Sequence, residues 1–190
     1  MTISRRGLIL GGLATIVVAA SSAPSEALFG LFKKKEQVVP GGQTGPATVN
    51  SPEAAAKISD YRRSRGQSAV TVDATLTAIA LRQAQAMARA GKMSHTLGGS
   101  FSSRLGQGGY DALIAAENLA AGPRNLDEAL SSWRASKGHN ENLLKPGVTQ
   151  IGIAVAYASN NRYGNFWALV LGTPDTGQQQ GPDAGPPVGQ

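Results

Sequence analysis

The chain has 190 residues, of which 41% are apolar and 16% are charged, a composition that supports one globular domain with tails rather than two full domains. It contains no cysteine, which excludes a disulfide framework, a thiolate metal site, a cysteine nucleophile and a cysteine-linked lipid anchor. The net charge is +6. Because the basic residues are spread along the chain, a nucleic-acid groove is not indicated.

Residues 1–27 have the three parts of a secretory signal peptide. Arg5 and Arg6 form a twin-arginine pair, an apolar run follows over residues 7–20, and small residues lead to Ala27. The arginine pair is typical of the prokaryotic export route for folded proteins. The apolar run is shorter than the roughly 20 residues that span a bilayer, so cleavage after Ala27 is favoured over an uncleaved anchor. We therefore expect an exported protein, periplasmic or extracellular, that is not integral to the membrane.

Two segments lack hydrophobic periodicity and are predicted to lie outside the folded domain. Residues 28–50 begin with an apolar and basic stretch and continue with Pro, Gly, Gln and Thr, which indicates a flexible linker. Residues 173–190 are rich in Gly, Gln and Pro, which predicts a disordered tail. The folded domain is accordingly expected over residues 51–172, an ordinary size for one domain.

Helix signals dominate the first half of this domain. Residues 51–53, Ser-Pro-Glu, are typical of a helix N-terminus and predict a helix that stops near Gly66. A second helix is predicted over residues 73–91, where an aspartate cap and a final glycine enclose apolar residues at helical spacing. A short helical piece is expected over residues 101–106, before an extended segment at 115–119.

The second half of the domain predicts one more helix and a hairpin. Asn125 with Glu128 resembles a capping box and predicts a third helix as far as Ser136, interrupted by the glycine at 138. Strands are predicted over residues 150–158 and 165–171. Because the helices come first and the antiparallel pair comes late, the pattern favours the α+β class over alternating βαβ units.

Two histidines and one carboxylate form the candidate site. His95 and His139 are the only histidines of the chain, and both lie at the ends of predicted elements among glycines. Glu117 is flanked by apolar residues, so it is expected to be partly buried and to need a partner for its charge. Two imidazoles and a carboxylate can hold a divalent metal or carry acid–base chemistry. Alternatively, the histidines make structural hydrogen bonds that close a cleft.

Two strings of the sequence resemble motifs of the CAP superfamily, which includes cysteine-rich secretory, venom antigen-five and plant pathogenesis-related proteins. Residues 116–122 read Ala-Glu-Asn-Leu-Ala-Ala-Gly, and residues 133–144 read Trp-Arg-Ala-Ser-Lys-Gly-His-Asn-Glu-Asn-Leu-Leu. The helix before Ser94-His95 and the segment at 151–154 extend the resemblance. The bacterial branch of the superfamily lacks disulfides, as this chain does. The resemblance implies a three-layer α-β-α sandwich with a small antiparallel sheet and a surface cleft.

In that cleft the superfamily brings together two histidines and two acids. By resemblance His95 and His139 match the histidines, and Glu117 matches the acid of the Glu-Asn motif. The second acid is expected three residues after Trp133, where this chain has Ser136, so the implied set is incomplete. The acids that lie nearby in the sequence are Asp127, Glu128 and Glu141. If the histidines face each other, they can hold a zinc ion, with Glu117 orienting one ring or binding the metal's water.

Two asparagines next to these residues are expected to have structural roles. Asn118 is expected to tie a strand end to a loop through its amide. Asn142 is expected to cap or brace the turn after His139, and Trp133 to pack in the core rather than to contact substrate.

Three functions remain open. The resemblance favours an exported, monomeric binding module for a small molecule, a lipid or an envelope component, with His95, His139 and Glu117 able to hold a divalent metal or a small ligand. The second is a peptidase-like, metal-dependent hydrolase that uses a water activated among these residues, because neither Ser94 nor Ser136 lies in a nucleophile elbow. The third is an envelope protein that binds acidic polymers through its basic surface.

Overall fold

The computed structural model describes residues 45–177. The predicted signal peptide, most of the predicted linker and most of the predicted tail lie outside the described residues. Within the described range, no helix has the length and apolar character needed to cross a membrane. The helices and strands of this range are α1 Ser51–Arg63, β1 Thr71–Val72, α2 Ala74–Ala90, α3 Phe101–Gln107, β2 Ala112–Ala121, α4 Leu126–Ala135, α5 Lys137–Leu143, β3 Gln150–Tyr157 and β4 Asn165–Pro174.

Side-chain caps determine where several of these helices begin. Asp73 caps α2 and Asn125 caps α4 through their side-chain oxygens, as the sequence predicted. Helix α1 begins at Ser51, but the residue that caps it is the preceding Asn50. Helix α2 ends at Gly91, whose φ of 62° is a left-handed conformation that glycine adopts at little steric cost.

The four strands form one sheet in the order β1-β3-β4-β2. Strands β3 and β4 make the predicted antiparallel hairpin, and β2 pairs antiparallel with the other side of β4. Strand β1 pairs parallel with β3 and was not predicted. Thr173 and Pro174, the first residues of the segment predicted as a tail, are the last two of β4.

Helices cover both faces of this sheet, which confirms the α+β class and the three-layer α-β-α arrangement. On one face α1, α4 and α5 pack on the sheet, with Trp133 fully buried among them. On the other face α2 and α3 pack against Leu119, Phe166 and neighbouring residues. Successive residues of a strand point to opposite faces, so each strand contributes side chains to both layers.

One glycine brings α2 directly onto the sheet. A Cβ atom at Gly152 of β3 would lie 2.0 Å from the carbonyl carbon of Leu76 and 2.1 Å from the backbone nitrogen of Thr77. No other residue fits at this distance, so the backbones of α2 and β3 are in contact. This contact fixes the first turn of α2 on the sheet, and the loop that carries His95 follows the other end of the helix.

The third predicted helix is α4, and a further helix that was not predicted, α5, follows it directly. Helix α4 ends at Ala135, Ser136 has an extended backbone with φ −94° and ψ 120°, and α5 begins at Lys137. The predicted interruption at Gly138 is wrong, because Gly138 lies inside α5. The break instead falls at Ser136, and α5 carries His139 back toward strand β2.

Candidate functional site

Glu117 lies in strand β2 with its side chain only 2% exposed. Its Oε1 accepts a hydrogen bond from Nη1 of Arg104 at 2.7 Å. Its Oε2 accepts from Nη2 of Arg104 at 3.1 Å and lies 2.7 Å from Nδ1 of His95. The predicted need for a charge partner is thus confirmed, and the partner is an arginine that was not among the predicted site residues.

Arg104, on helix α3, joins the carboxylate to the loop that follows α2. Besides its two contacts with Glu117, its Nη2 donates to the backbone oxygen of His95 at 3.0 Å. Its guanidinium lies 5.4 Å from the ring centre of Phe101, a cation–π contact. Arg104 therefore positions both Glu117 and the backbone that carries His95. We call these three side chains the His95–Glu117–Arg104 cluster.

His95 is the exposed member of this cluster, with 48% of its side chain accessible. A carboxylate can only accept hydrogen bonds, so Nδ1 of His95 must carry the proton between them. In the neutral ring this leaves Nε2 as an acceptor, and no side chain of the described residues donates to it. The backbone before His95 is held as well, because Gln83 donates to the oxygen of Ser94 at 2.7 Å.

His139 approaches the same strand from the other layer. Asn118 follows Glu117, so its side chain leaves the opposite face of β2. Its Nδ2 donates to the backbone oxygen of His139 at 2.9 Å. Nδ2 of Asn142 donates to Oδ1 of Asn118 at 2.9 Å and to the backbone oxygen of Glu117 at 3.1 Å. Both asparagines are structural, as the sequence predicted, but their partners differ from those expected, because they attach helix α5 to strand β2.

The hydrogen-bond donors that surround Glu117 affect whether this carboxylate can serve in the predicted metal site. In residues 45–177 no group of three or more His, Cys, Asp or Glu side chains is arranged to hold a metal ion. The guanidinium of Arg104, 2.7 Å from the carboxylate, already supplies the positive charge that a cation would bring. As the side chains stand, Glu117 fits the role of orienting His95 better than that of a ligand. The zinc site with His139 stays a prediction.

Two of the three acids near Ser136 in the sequence, Asp127 and Glu128, pair with surface residues. Asp127 lies 2.6 Å from Nζ of Lys57, and this hydrogen bond raises the pKa of Lys57. Glu128 lies 2.5 Å from Arg124, whose hydrogen bonds hold the pKa of Glu128 below its usual value. Neither acid replaces the second acid of the superfamily pattern.

The sequence contains one signal for Arg104. It is the only arginine or lysine between Lys92 and Arg124. A buried carboxylate at Glu117 needs a cation close by, and α3 offers this one. Only the packing of α3 against the sheet shows that the two side chains meet.

The fold and the site can be compared with known proteins. The sequence profile of the cysteine-rich secretory protein family, CAP, matches residues 55–171, well over half of the chain. The uncharacterized protein YkwD of Bacillus subtilis is 30% identical over 95 residues, which are 48% of this chain and 37% of YkwD. The match thus spans little more than a third of that relative.

Two solved structures share the fold. An outer surface protein of Borrelia burgdorferi has a TM-score of 0.58 and 21% identity, over 67% of this chain and 98% of that one. An extracellular protein with an SCP domain from Bacillus anthracis has a TM-score of 0.54 and 23% identity, over 64% of this chain and 41% of that one. With the matched profile, the three layers and a sequence free of cysteine, the chain belongs to the cysteine-rich secretory protein family, CAP, in its cysteine-free bacterial form.

Proposed function

We propose that this protein is an exported binding module whose polar ligand contact is the imidazole of His95. One observation carries the proposal: Nδ1 of His95 lies 2.7 Å from the buried carboxylate of Glu117, while 48% of the imidazole-bearing side chain is exposed. A ring held in this way presents Nε2 as an acceptor in a fixed direction. Little side-chain freedom is then lost when a ligand binds, which favours affinity.

Two observations support export. Arg5 and Arg6 precede an apolar run and small residues, the pattern of a signal peptide. The two structural neighbours are an outer surface protein and an extracellular protein. A binding module outside the cytoplasm would meet envelope components or small molecules of the medium as ligands.

Binding is favoured over hydrolysis by the contacts of Glu117. Three hydrogen bonds hold its two oxygens, and Ser136 stands where the superfamily has a second acid. A hydrolase would need Glu117 to leave these donors in order to reach a water. A binding module uses the same contacts unchanged, because they keep His95 in one orientation.

The test follows the His95 ring directly by NMR of the full-length chain labelled with nitrogen-15. The probes are Zn²⁺ alone and a set of small amides, alcohols and amines that can donate to Nε2. We expect saturable shifts of the Nε2 resonance in the wild type, and binding that is lost in His95→Ala. The matched control is Gln107→Ala, an exposed residue of neighbouring α3, which should bind as the wild type does.

Two results would contradict the proposal. The first is that no probe, zinc included, moves the His95 resonance of the folded protein. The second is turnover of a casein substrate that disappears in His139→Ala, because a binding module has no turnover to lose. That second result would favour the metal-dependent hydrolase.

A further inference from the structure

A pocket of about 200 Å³ lies beside the His95–Glu117–Arg104 cluster, between α2, the loop after it, and α3. Three arginines line it, Arg82, Arg89 and Arg104, and no aspartate or glutamate does. This volume is below the roughly 300–1,000 Å³ of pockets that hold drug-sized molecules, so the pocket is suited to a smaller ligand.

The positive charge of this pocket is largely unbalanced. Between Asp73 and Asp111 the chain has no acidic residue, but it has Arg82, Arg89 and Arg104 together with one lysine. Glu117 balances Arg104. In the described part of the chain, neither of the other two arginines forms an ion pair. A concave surface with arginines of this kind attracts anions.

Two buried polar atoms of the pocket residues have no hydrogen-bond partner within residues 45–177. They are the donor Nε of Arg104 and the acceptor Oε1 of Gln83, on side chains that are almost fully buried. The orientation of the Gln83 amide is fixed, because its nitrogen donates to the backbone oxygen of Ser94. Unpaired buried polar groups cost free energy, so a ligand that pairs with both atoms would remove that cost.

The rest of the lining is Gln107 together with apolar or small residues. Ile79 of α2 and Leu97 of the following loop are its large apolar side chains. Guanidinium groups bind carboxylate and phosphate through paired hydrogen bonds, which ammonium groups do less well. The lining thus combines sites for an oxyanion, a hydrogen-bond donor and a short apolar stem.

We propose that this pocket binds a small organic anion. Its oxyanion head, a carboxylate or a phosphate, contacts Arg82, Arg89 and Nε of Arg104. A hydroxyl or amine of the ligand donates to Gln83, and its stem packs on Leu97 and the α2 side chains. His95 and Glu117 do not line the pocket, so the inference goes beyond the proposed function and does not rest on it.

Isothermal titration of the full-length chain tests the pocket with three probes: hexyl phosphate, hexanoate and inorganic phosphate. Arg82→Gln and Arg89→Gln remove pocket charges from exposed residues without breaking an ion pair of the described chain. We expect one-to-one binding of hexyl phosphate or hexanoate, about tenfold weaker in each variant. The head group that binds more tightly identifies the ligand class. The Nε–Hε resonance of Arg104 should shift on saturation.

The controls separate the pocket from general charge and from the His95 site. Arg63→Gln removes the same charge from an exposed residue of α1 and should bind as the wild type does, as should His95→Ala. Equal weakening in Arg63→Gln, or binding that survives in both pocket variants, would overturn the proposal. Failure of every probe to saturate at millimolar concentration would do the same. Equal affinity for inorganic phosphate and hexyl phosphate would refute the claim that an organic stem of the ligand packs in the pocket.

Discussion

Replacing Arg104 with methionine tests whether the buried ion pair with Glu117 holds the site together. The change removes two hydrogen bonds to the carboxylate and one to the backbone of His95. It leaves a carboxylate that is 2% exposed with His95 as its remaining side-chain partner. Breaking one side of a buried pair costs about 3–5 kcal/mol, a large part of the roughly 5–15 kcal/mol that keeps a domain folded. The melting temperature should fall by about 10–20 °C.

The assay is urea unfolding of the full-length chain, with the free energy of unfolding taken by linear extrapolation. The double variant Arg104→Met with Glu117→Leu removes both charges and should regain at least half of the lost stability, because no unpaired charge stays buried. The matched control is Arg124→Met. It breaks a pair of the same two residue types, at 2.5 Å from Glu128 but with Arg124 62% exposed, and should cost less than about 1 kcal/mol.

Two outcomes would refute this reasoning. One is a loss in Arg104→Met no larger than the loss in Arg124→Met, which would mean that burial does not strengthen the pair. The other is a double variant as unstable as the sum of the two single variants. In that case Arg104 and Glu117 would contribute independently, and the carboxylate would not depend on the guanidinium.

Three further substitutions test the fold around the site. Arg62 is fully buried and donates to four backbone oxygens. Each acceptor left without a donor costs about 1–3 kcal/mol. Arg62→Met should therefore lower the free energy of unfolding, measured in urea, by about 4 kcal/mol. Gly152→Ala should prevent folding, as seen by circular dichroism, because the new Cβ would lie 2.0 Å from the backbone of α2. Burial and the charge of Asp73 raise the pKa of Tyr110 to about 12. Because this folded pKa exceeds the unfolded value, its stabilising effect is complete below pH 10 and is lost as the pH rises toward 12. The free energy of unfolding of Tyr110→Phe, measured in urea, should therefore fall less than that of the wild type as the pH rises across that range.

Each of these changes has a matched control. Arg63→Met alters the exposed neighbour of Arg62 and should change stability by less than about 0.5 kcal/mol; equal losses would contradict the role of the four acceptors. Gly106→Ala places a methyl group where nothing lies within 4 Å and should fold, whereas a folded Gly152→Ala would refute the contact. Tyr157→Phe, the same substitution at an exposed position, is the matched control for Tyr110→Phe. An unchanged profile in Tyr110→Phe would contradict the pKa argument.

Local chemistry made part of this fold predictable. A side-chain oxygen three residues before an unpaired N–H marks a helix start, which is why Asp73 and Asn125 were identified as caps from sequence. The carboxylate of Glu117 among apolar neighbours predicted a charge partner for the same local reason. The identity of that partner depends on how α3 packs, and no spacing in the sequence encodes it.

Other features of the fold could not be predicted from a pattern of residues. Strand β1 has two residues, too few for an alternating pattern, and its pairing with Gln150 and Ile151 exists only once the domain is assembled. The alternation along β2 decides which layer each of two neighbouring residues faces. Asn118 binds the backbone of α5, while Glu117 turns toward α3.

The order of the sheet has a consequence for when this protein can fold. Its two central strands, β3 and β4, are the last in the chain, and both edge strands come earlier. Even Ala47, just before α1, hydrogen-bonds to the side chain of Asn165 at 2.9 Å. A chain that ends before Gln150 therefore has helices and two strands but no sheet, and contacts this distant in sequence form late. Synthesis must therefore pass the end of β4 at Pro174 before the domain can close.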